Sequence, residues 1–380
     1  MAQYDVVVVG GGPVGSALAL ALHVANFNVV MLESRTHASE PIGLRPLALS
    51  YGSRLIFERL EVWDALAAAT PIERIHVSQR GSFGRAVLTA AEAALPALGY
   101  VTDYAALVAA LDAAVCRAGL KVIRGARVNT LAHDATCARV EFISEAGVDE
   151  CIASLVVIAD GSALAAEVDV RVTDYHQSAV TAFVHTELAH EHTAYERFTS
   201  EGPIALLPFE ARCALVWTVG SAQADALTQA TPREFLTRLQ DRFGERLGRF
   251  VQVSERAAHD LTLRVAEDTT IGRAILIGNA AQAPHPVAGQ GFNLGLRDAW
   301  ELAGEIRRRS PHDEALPAAY RARRRIDRRG GIAFTDALVR IFSNDIPGLG
   351  IARGAGLALL DNLPPVKQFV MRRMVFGSRG

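Results

Sequence analysis

A β-branched run, Val6-Val7-Val8-Val9, leads directly into Gly10-Gly11-Gly12-Pro13-Val14-Gly15 and then into small and apolar residues as far as Ala25. Few folds satisfy that order. A run apolar on both faces reads as a strand buried on both sides, as in parallel sheets. The stretch from Val14 to about Ala25 suits a buried helix, and Val29 to Leu32 reads as a second buried strand, so the chain opens on a βαβ unit. Its glycines have the G-x-G-x-x-G spacing in the place where that spacing has a physical meaning. Gly10 is expected to allow the tight turn, Gly12 to let the backbone approach a pyrophosphate, and Gly15 to let the helix lie close to the strand. The amino terminus of the helix after Pro13 would then offer free N–H groups to the phosphates. Glu33 closes the second strand where an acid ordinarily bonds the adenosine ribose hydroxyls. The pattern predicts dinucleotide binding but does not separate FAD from NAD.

Two further buried runs, Leu155 to Ala159 and Ala274 to Ile277, each end beside a polar residue and a glycine or alanine. They predict one nucleotide-binding sheet assembled from separated segments. Between them, Thr181 to Phe209 and Arg212 to Gly220 alternate apolar with polar residues, as antiparallel strands with one wet face do. From Arg297 onward the pattern is helical. At 380 residues, half of them apolar, two lobes sharing an interface are expected. A formal net charge of -2 gives no field to attract nucleic acid, and Cys116, Cys137, Cys151 and Cys213 lack the spacing of a zinc or redox site. No metal site is expected. The amino terminus runs straight into a strand without a signal-peptide pattern, and no apolar stretch is long enough to span a membrane, so a cytoplasmic protein is expected.

The cofactor is decided by residues 276 to 299, LIGNAAQAPHPVAGQGFNLGLRDA. A buried strand runs into Pro284-His285-Pro286, a pair of glycines at Gly289 and Gly291, and a helix from Phe292 with Asn293 near its start. The prolines stiffen the loop, the glycines let a planar ligand lie against main chain, and a helix amino terminus aimed at an isoalloxazine would stabilise its reduced anion. This stretch resembles the second flavin-binding motif of the group A FAD-dependent monooxygenases, which share the para-hydroxybenzoate hydroxylase fold. Within them the chain is most similar to the ubiquinone-biosynthesis hydroxylases. HVSQRG at His76 to Gly81, ERFTSEGPIALLP at Glu196 to Pro208, Arg212 and Trp217 also resemble substrate-domain segments of that family. Asn279 stands where the family usually has aspartate and Gln282 where many members have histidine. Both departures occur in the 2-octaprenyl-6-methoxyphenol 4-hydroxylase branch.

The resemblance implies an α/β fold: a Rossmann-like FAD-binding domain, an inserted antiparallel-sheet substrate domain and a helical carboxy terminus. The implied division gives residues 1–75, 101–172 and 266–330 to the FAD domain, 76–100 and 173–265 to the substrate domain, and 331–380 to the helical segment. It implies flavin contacts from Gly10, Gly12, Pro13, Gly15, Glu33, Arg45, Asp160, Asn279, Pro286, Gly289, Gln290, Gly291, Phe292 and Asn293, with His285 as the catalytic candidate. Gly43 replaces an aspartate expected near Arg45, and the Asp160-Gly161-Ser162 loop is shortened and lacks its arginine. The implied reaction uses NAD(P)H as a transient co-substrate and O2 to hydroxylate a polyprenylated phenol. An NAD dehydrogenase is disfavoured by the flavin match, and a disulfide reductase by the absence of a redox cysteine pair. A flavin hydroxylase of another aromatic substrate, or a catalytically weak flavin-binding scaffold among other ubiquinone-biosynthesis proteins, stays open. Gly348 to Leu360 and Phe369 to Phe376 have the mixture of a surface for peripheral contact with lipid or a partner, but ordinary helix packing, with Arg321 to Arg329 as a solvated face, is the favoured reading.

Overall fold

The buried β-branched runs pair with one another. The structure is a computed structural model that describes residues 2–36, 45–160, 168–285, 289–342 and 349–377. Strands β1 (Ala2–Val9), β2 (Val29–Glu33), β3 (Pro46–Ser50), β4 (Thr70–Ile72), β5 (Arg74–Gln79), β6 (Arg85–Thr89) and β7 (Gly99–Asp103) come first, interleaved with helices α1 (Pro13–His23) and α2 (Tyr51–Arg59). Helix α3 (Tyr104–Arg117) precedes β8 (Lys121–Arg124), β9 (Arg127–His133), β10 (Ala138–Ser144), β11 (Gly147–Ile158), β12 (Val170–Thr186), β13 (Thr193–Phe198), β14 (Pro203–Phe209) and β15 (Arg212–Gly220). Helices α4 (Ser221–Thr228) and α5 (Pro232–Phe243) lead to β16 (Phe250–Val253), β17 (Ala257–Ala266), β18 (Thr270–Ile271), β19 (Ala274–Leu276) and β20 (Gln282–Ala283). Helices α6 (Gln290–Arg309), α7 (Leu316–Phe342), α8 (Leu349–Asn362) and α9 (Pro364–Phe376) follow.

The first sheet has the parallel order β19-β11-β1-β2-β8, with Val6 opposite both Val29 and Leu155. Val6, Val7 and Val8 are fully buried because both faces are covered. Leu18 and Leu22 of α1 and Leu302 and Ile306 of α6 pack on one face, while Leu131, Val140 and Phe142 of the β9–β10 hairpin cover the other. Each such aliphatic side chain, once buried, contributes about 1.5–3 kcal/mol.

The second sheet runs β20-β17-β12-β15-β14-β13-β5-β6, with β16 on β12. The alternation between Thr181 and Gly220 appears there as antiparallel ladders, but β13 departs from it by pairing in parallel with β5, Tyr195 opposite His76. That pairing joins segments more than 100 residues apart, so local alternation carries no signal of it. Strand β20 decides the site's position. It follows β19 of the first sheet within a few residues yet bonds to β17 of the second, Val265 opposite Gln282, and so holds the second glycine-bearing turn between the two sheets.

Candidate active site

Three turns meet at the carboxyl ends of the parallel strands, where open α/β sheets bind their ligands. The Gly10 N–H donates to Leu32 O at 2.8 Å, the Ala159 N–H to Val9 O at 2.8 Å, and the Ile277 N–H to Ile158 O at 3.0 Å. The glycine-rich turn, the end of β11 and the second turn therefore lie side by side. Gly10 has a φ of +101°, and a Cβ there would sit 2.7 Å from the Asp160 backbone. A Cβ on Gly15 would be 2.0 Å from Gly10 O. A Cβ on Gly12 would meet nothing within 4 Å, and Gly12, Pro13 and Val14 line a cavity. Two glycines thus serve packing, while the third leaves open space at the start of α1, as a backbone needs if a pyrophosphate is to approach it. These residues fit an FAD.

Glu33 also lines the cavity, but much of its carboxylate is already engaged. Oε2 accepts from the Gly11 N–H at 2.6 Å, and Oε1 accepts from the Arg35 N–H at 2.9 Å and from Arg35 Nε at 3.0 Å. Burial works against the charge, yet the Arg35 and Gly11 hydrogen bonds prevail and hold the carboxyl below its ordinary pKa. Sequence reading missed Arg35 and Gly11, which keep Glu33 ionised and aimed. Arg45 and Asp160 line the same cavity, with the Arg45 guanidinium 5.6 Å from the Tyr104 ring centroid. Pro286, Gly43 and the loop after Asp160 lie outside the described residues.

In the second turn, Asn279, Gly289, Gly291 and Phe292 line the cavity, and Gly289 takes the left-handed conformation (φ +60°) that ends the loop and starts α6. Gln290 begins that helix beside them. Asn293 does not line the cavity. Its Oδ1 accepts from the Ser50 N–H at 2.8 Å and Ser53 Oγ at 2.7 Å, and its Nδ2 donates to Ala48 O at 3.0 Å and Gly289 O at 2.8 Å. The amide is consumed in tying α6 to β3 and α2, so Asn293 shapes the wall from behind.

His285 also lies behind the wall. It is 1% exposed, is not part of the cavity wall, and packs edge-on against Tyr175 with ring centroids 5.1 Å apart. The flanking Pro284 lines the cavity instead. Burial lowers the His285 pKa to about 4, so the ring is neutral at physiological pH. A stability effect follows. Between pH 6.5 and 4 the unfolded chain takes up a proton that the folded imidazole refuses, so stability falls as pH falls through that window, by roughly 3 kcal/mol at most. His285→Gln is expected to flatten this part of the profile, as measured by urea midpoints at pH 7 and pH 5. An unchanged difference between those midpoints would sink the assignment.

Sequence reading also missed a buried charged network behind the second turn. Asp298, 2% exposed, accepts from the Gly278 N–H at 3.2 Å, Gln282 Nε2 at 2.6 Å and Arg324 Nε at 2.7 Å. Arg324 also donates to Asp327 Oδ2 at 2.7 Å, and Arg328 Nε to Gln282 Oε1 at 2.8 Å. The arginine run of α7 is therefore not one solvated face: Arg325 and Arg329 are exposed, whereas Arg324 is buried. Burial opposes the Arg324 charge, but Asp298 and Asp327 outweigh it and raise its pKa. Burial likewise opposes ionisation of Asp327, and Arg297 and Arg324 overcome it to bring the pKa to about 2. Gln282, noted in the sequence only as a departure from histidine, joins the turn to this network.

The cavity has a volume of about 1990 Å³, about twice the upper end of the range for a single small-molecule pocket. From the three turns it continues along the inner face of the second sheet, past Val77, Ala205 and Val216, to Leu338 and Phe342 of α7, Leu360 of α8 and Met374 of α9. Residues 3–326 match the family described as FAD binding domain. The chain belongs to that family. It is an FAD-dependent aromatic hydroxylase, an oxidoreductase of the monooxygenase type. Among its relatives, ubiquinone hydroxylase UbiL of Rhodospirillum rubrum is 34% identical over 97% of this chain and 88% of its own. The 3-demethoxyubiquinol 3-hydroxylase of Escherichia coli is 30% identical over 97% of each chain. In fold, the hydroxylase is similar to p-nitrophenol 4-monooxygenase PnpA of Pseudomonas putida, with a TM-score of 0.80, 19% identity and all of both chains covered.

Proposed function

We propose that this hydroxylase uses NAD(P)H and O2 to add one oxygen atom to the ring of a polyprenylated phenol in ubiquinone biosynthesis, in the manner of a 2-octaprenyl-6-methoxyphenol 4-hydroxylase. The observation that carries this reading is the continuity of the cavity. One end is polar and glycine-lined, as FAD requires; the other is bounded by aliphatic and aromatic side chains of α7, α8 and α9, as an isoprenoid tail requires. The names of the two bacterial relatives support the same substrate class.

In this reading Gly10, Gly12 and Pro13 border the space for the FAD pyrophosphate while Gly15 lets α1 close on the first strand, Glu33 meets the ribose, and Arg45, Asp160, Asn279, Gly289, Gly291 and Phe292 flank the rest. When bound and reduced, the flavin supplies the electrons that activate O2 and delivers the oxygen atom. The chain's own work is to hold the ring and exclude water. Val216, Ala205 and Val77 present an apolar face, and Phe342 stacked on Phe198 (4.1 Å between centroids) closes that face toward α7. NAD(P)H visits rather than resides. None of the described helices is long and apolar enough to cross a membrane. The exposed Ile351, Leu359, Val366 and Phe369 on α8 and α9 support a peripheral contact with lipid or with another ubiquinone-biosynthesis protein.

The test supplies purified FAD-loaded protein with NAD(P)H, O2 and a prenylated 2-methoxyphenol. The expected result is substrate-stimulated flavin reduction and a product heavier by one oxygen atom; reduction without such a product rejects the substrate class. Leu360→Trp, which narrows the apolar end, is expected to raise KM for a long-tailed phenol by about tenfold, roughly 1.4 kcal/mol. The same variant should leave KM for a short-tailed phenol within about twofold. Equal effects on both would argue against a tail in that end of the cavity.

A further inference from the structure

The inner face of the second sheet carries one carboxyl in an apolar row. Ladder pairing places Thr181, Val216, Ala205, Glu196 and Val77 on neighbouring strands in a single line, and all five line the cavity. Strand alternation turns the Tyr195 ring and Arg197 toward the opposite face, where Tyr195 meets His76 and Arg197 donates to Ser78 Oγ at 3.3 Å, although Tyr195 also borders the cavity. Glu196 Oε1 is buried and has no hydrogen-bond partner. Glu196 as a whole is half-buried, but a shielded carboxylate oxygen without a partner is a costly feature, and one in the wall of a ligand cavity is expected to find its partner in the ligand.

We propose that Glu196 receives the phenolic hydroxyl of the substrate, first accepting its hydrogen bond and then, as the ring is attacked, its proton. This rests on the reading of the cavity as a phenol site. The step is a proton transfer alone. The phenol O–H bond breaks, an O–H bond forms on the Glu196 carboxylate, and the electron pair left on the phenol oxygen raises the nucleophilicity of the ring. As the ring becomes aromatic again the attacked carbon loses its own hydrogen as a proton to solvent, and the proton on Glu196 returns to the phenol oxygen, so Glu196 ends as it began. The oxidation is balanced by NAD(P)H and O2, as in the proposed function.

Burial raises the Glu196 pKa to about 7, near the value that serves a general base at physiological pH. No neighbouring charge contributes. On β5 and β14 the facing residues are Val77 and Ala205, and the α7 residues of the wall are Phe334, Leu338 and Phe342. Arg197 and His76 lie on the far side of the sheet, Tyr175 donates to Asp336 Oδ1 at 3.0 Å, and Asp336 pairs with Arg340. Of the charged residues that share the cavity wall, Glu33, Arg35, Arg45, Arg127 and Asp160 lie toward the glycine turns and Arg212, Arg256, Glu255 and Asp260 sit on or beside β15 and β17, and none is among the causes of the shift.

The experiment uses FAD-loaded wild type, Glu196→Gln and Glu196→Asp with a short-chain prenylated 2-methoxyphenol. Glu196→Gln is expected to fold and keep FAD, to lose about 100-fold in kcat, and to lose the acid limb of kcat/KM that wild type shows near pH 7. Glu196→Asp is expected to recover part of the rate together with the limb. A Glu196→Gln enzyme within twofold of wild type and with the limb intact overturns the proposal. A second readout does not depend on turnover. The infrared carboxyl band in wild type minus Glu196→Gln difference spectra should titrate near pH 7, and a phenol with every ring position blocked should shift that midpoint. A midpoint indifferent to the blocked phenol also overturns the proposal. If no phenol is hydroxylated by wild type but the midpoint still moves, the proposed reaction fails while the contact between Glu196 and a phenol stands.

Discussion

Gly12→Val is expected to yield a folded protein that no longer retains FAD. The backbone at Gly12 is extended (φ -66°, ψ 174°), a conformation open to any residue, and a Cβ there meets no atom within 4 Å. The FAD-free protein should therefore keep its stability within about 1 kcal/mol, since Gly12 makes no side-chain cap that the substitution could remove. The valine methyl groups would instead fill the space at the start of α1 that a pyrophosphate needs. FAD affinity should fall by at least about 100-fold, roughly 2.7 kcal/mol, measured as the dissociation constant of apoprotein reconstituted with FAD. Gly15→Ala supplies the contrast. Its Cβ would lie 2.0 Å from Gly10 O, so α1 must move off the first strand and folding itself should suffer. Yellow Gly12→Val protein would show that the phosphates do not lie there.

The largest loss of stability is expected from Asp298→Ala. The carboxylate holds the Gly278 N–H, the Gln282 amide and the Arg324 guanidinium together, and removing it leaves Arg324, 5% exposed, without its inner partner. Breaking a buried ion pair from one side costs about 3–5 kcal/mol, because the charge left behind is neither solvated nor paired. Asp327 still meets Arg324 from the other side, which limits the loss to that range. The second turn should loosen as well, so FAD is expected to dissociate faster than from wild type. Chemical denaturation and the release rate of flavin fluorescence read the two effects separately. An Asp298→Ala protein within about 1 kcal/mol of wild type would mean that the network is decorative.

The first glycine-rich turn was legible in the sequence because its constraints are local. Gly10, Gly12 and Gly15 act within six residues of one another, and strand, turn and helix are adjacent in the chain. The second turn was legible as a pattern of prolines and glycines, yet the surroundings of two of its residues were not. Burial turned His285 against Tyr175, and four protein partners took up the Asn293 amide. Neither fact has a signature in spacing, since Tyr175 and three of the four Asn293 partners, Ala48, Ser50 and Ser53, lie more than 100 residues away. Arg324 was hidden for a related reason: in a run of arginines, only the helical period and the position of Asp298 on a neighbouring helix separate the buried guanidinium from the exposed ones.

The amino-acid sequence by itself determined the two nucleotide-side turns, the buried parallel strands and the helical carboxy-terminal segment, since these follow from hydrophobic period, glycine spacing and proline placement over a few residues. Tertiary structure alone decided that β13 lies beside β5 and that Glu196 stands in an apolar row facing the cavity. It also decided that one space joins the glycine turns to α7, α8 and α9. The physical reason is that a side chain's burial, charge state and partner are set by whichever distant strand or helix packs against it, and that choice is made by the whole fold.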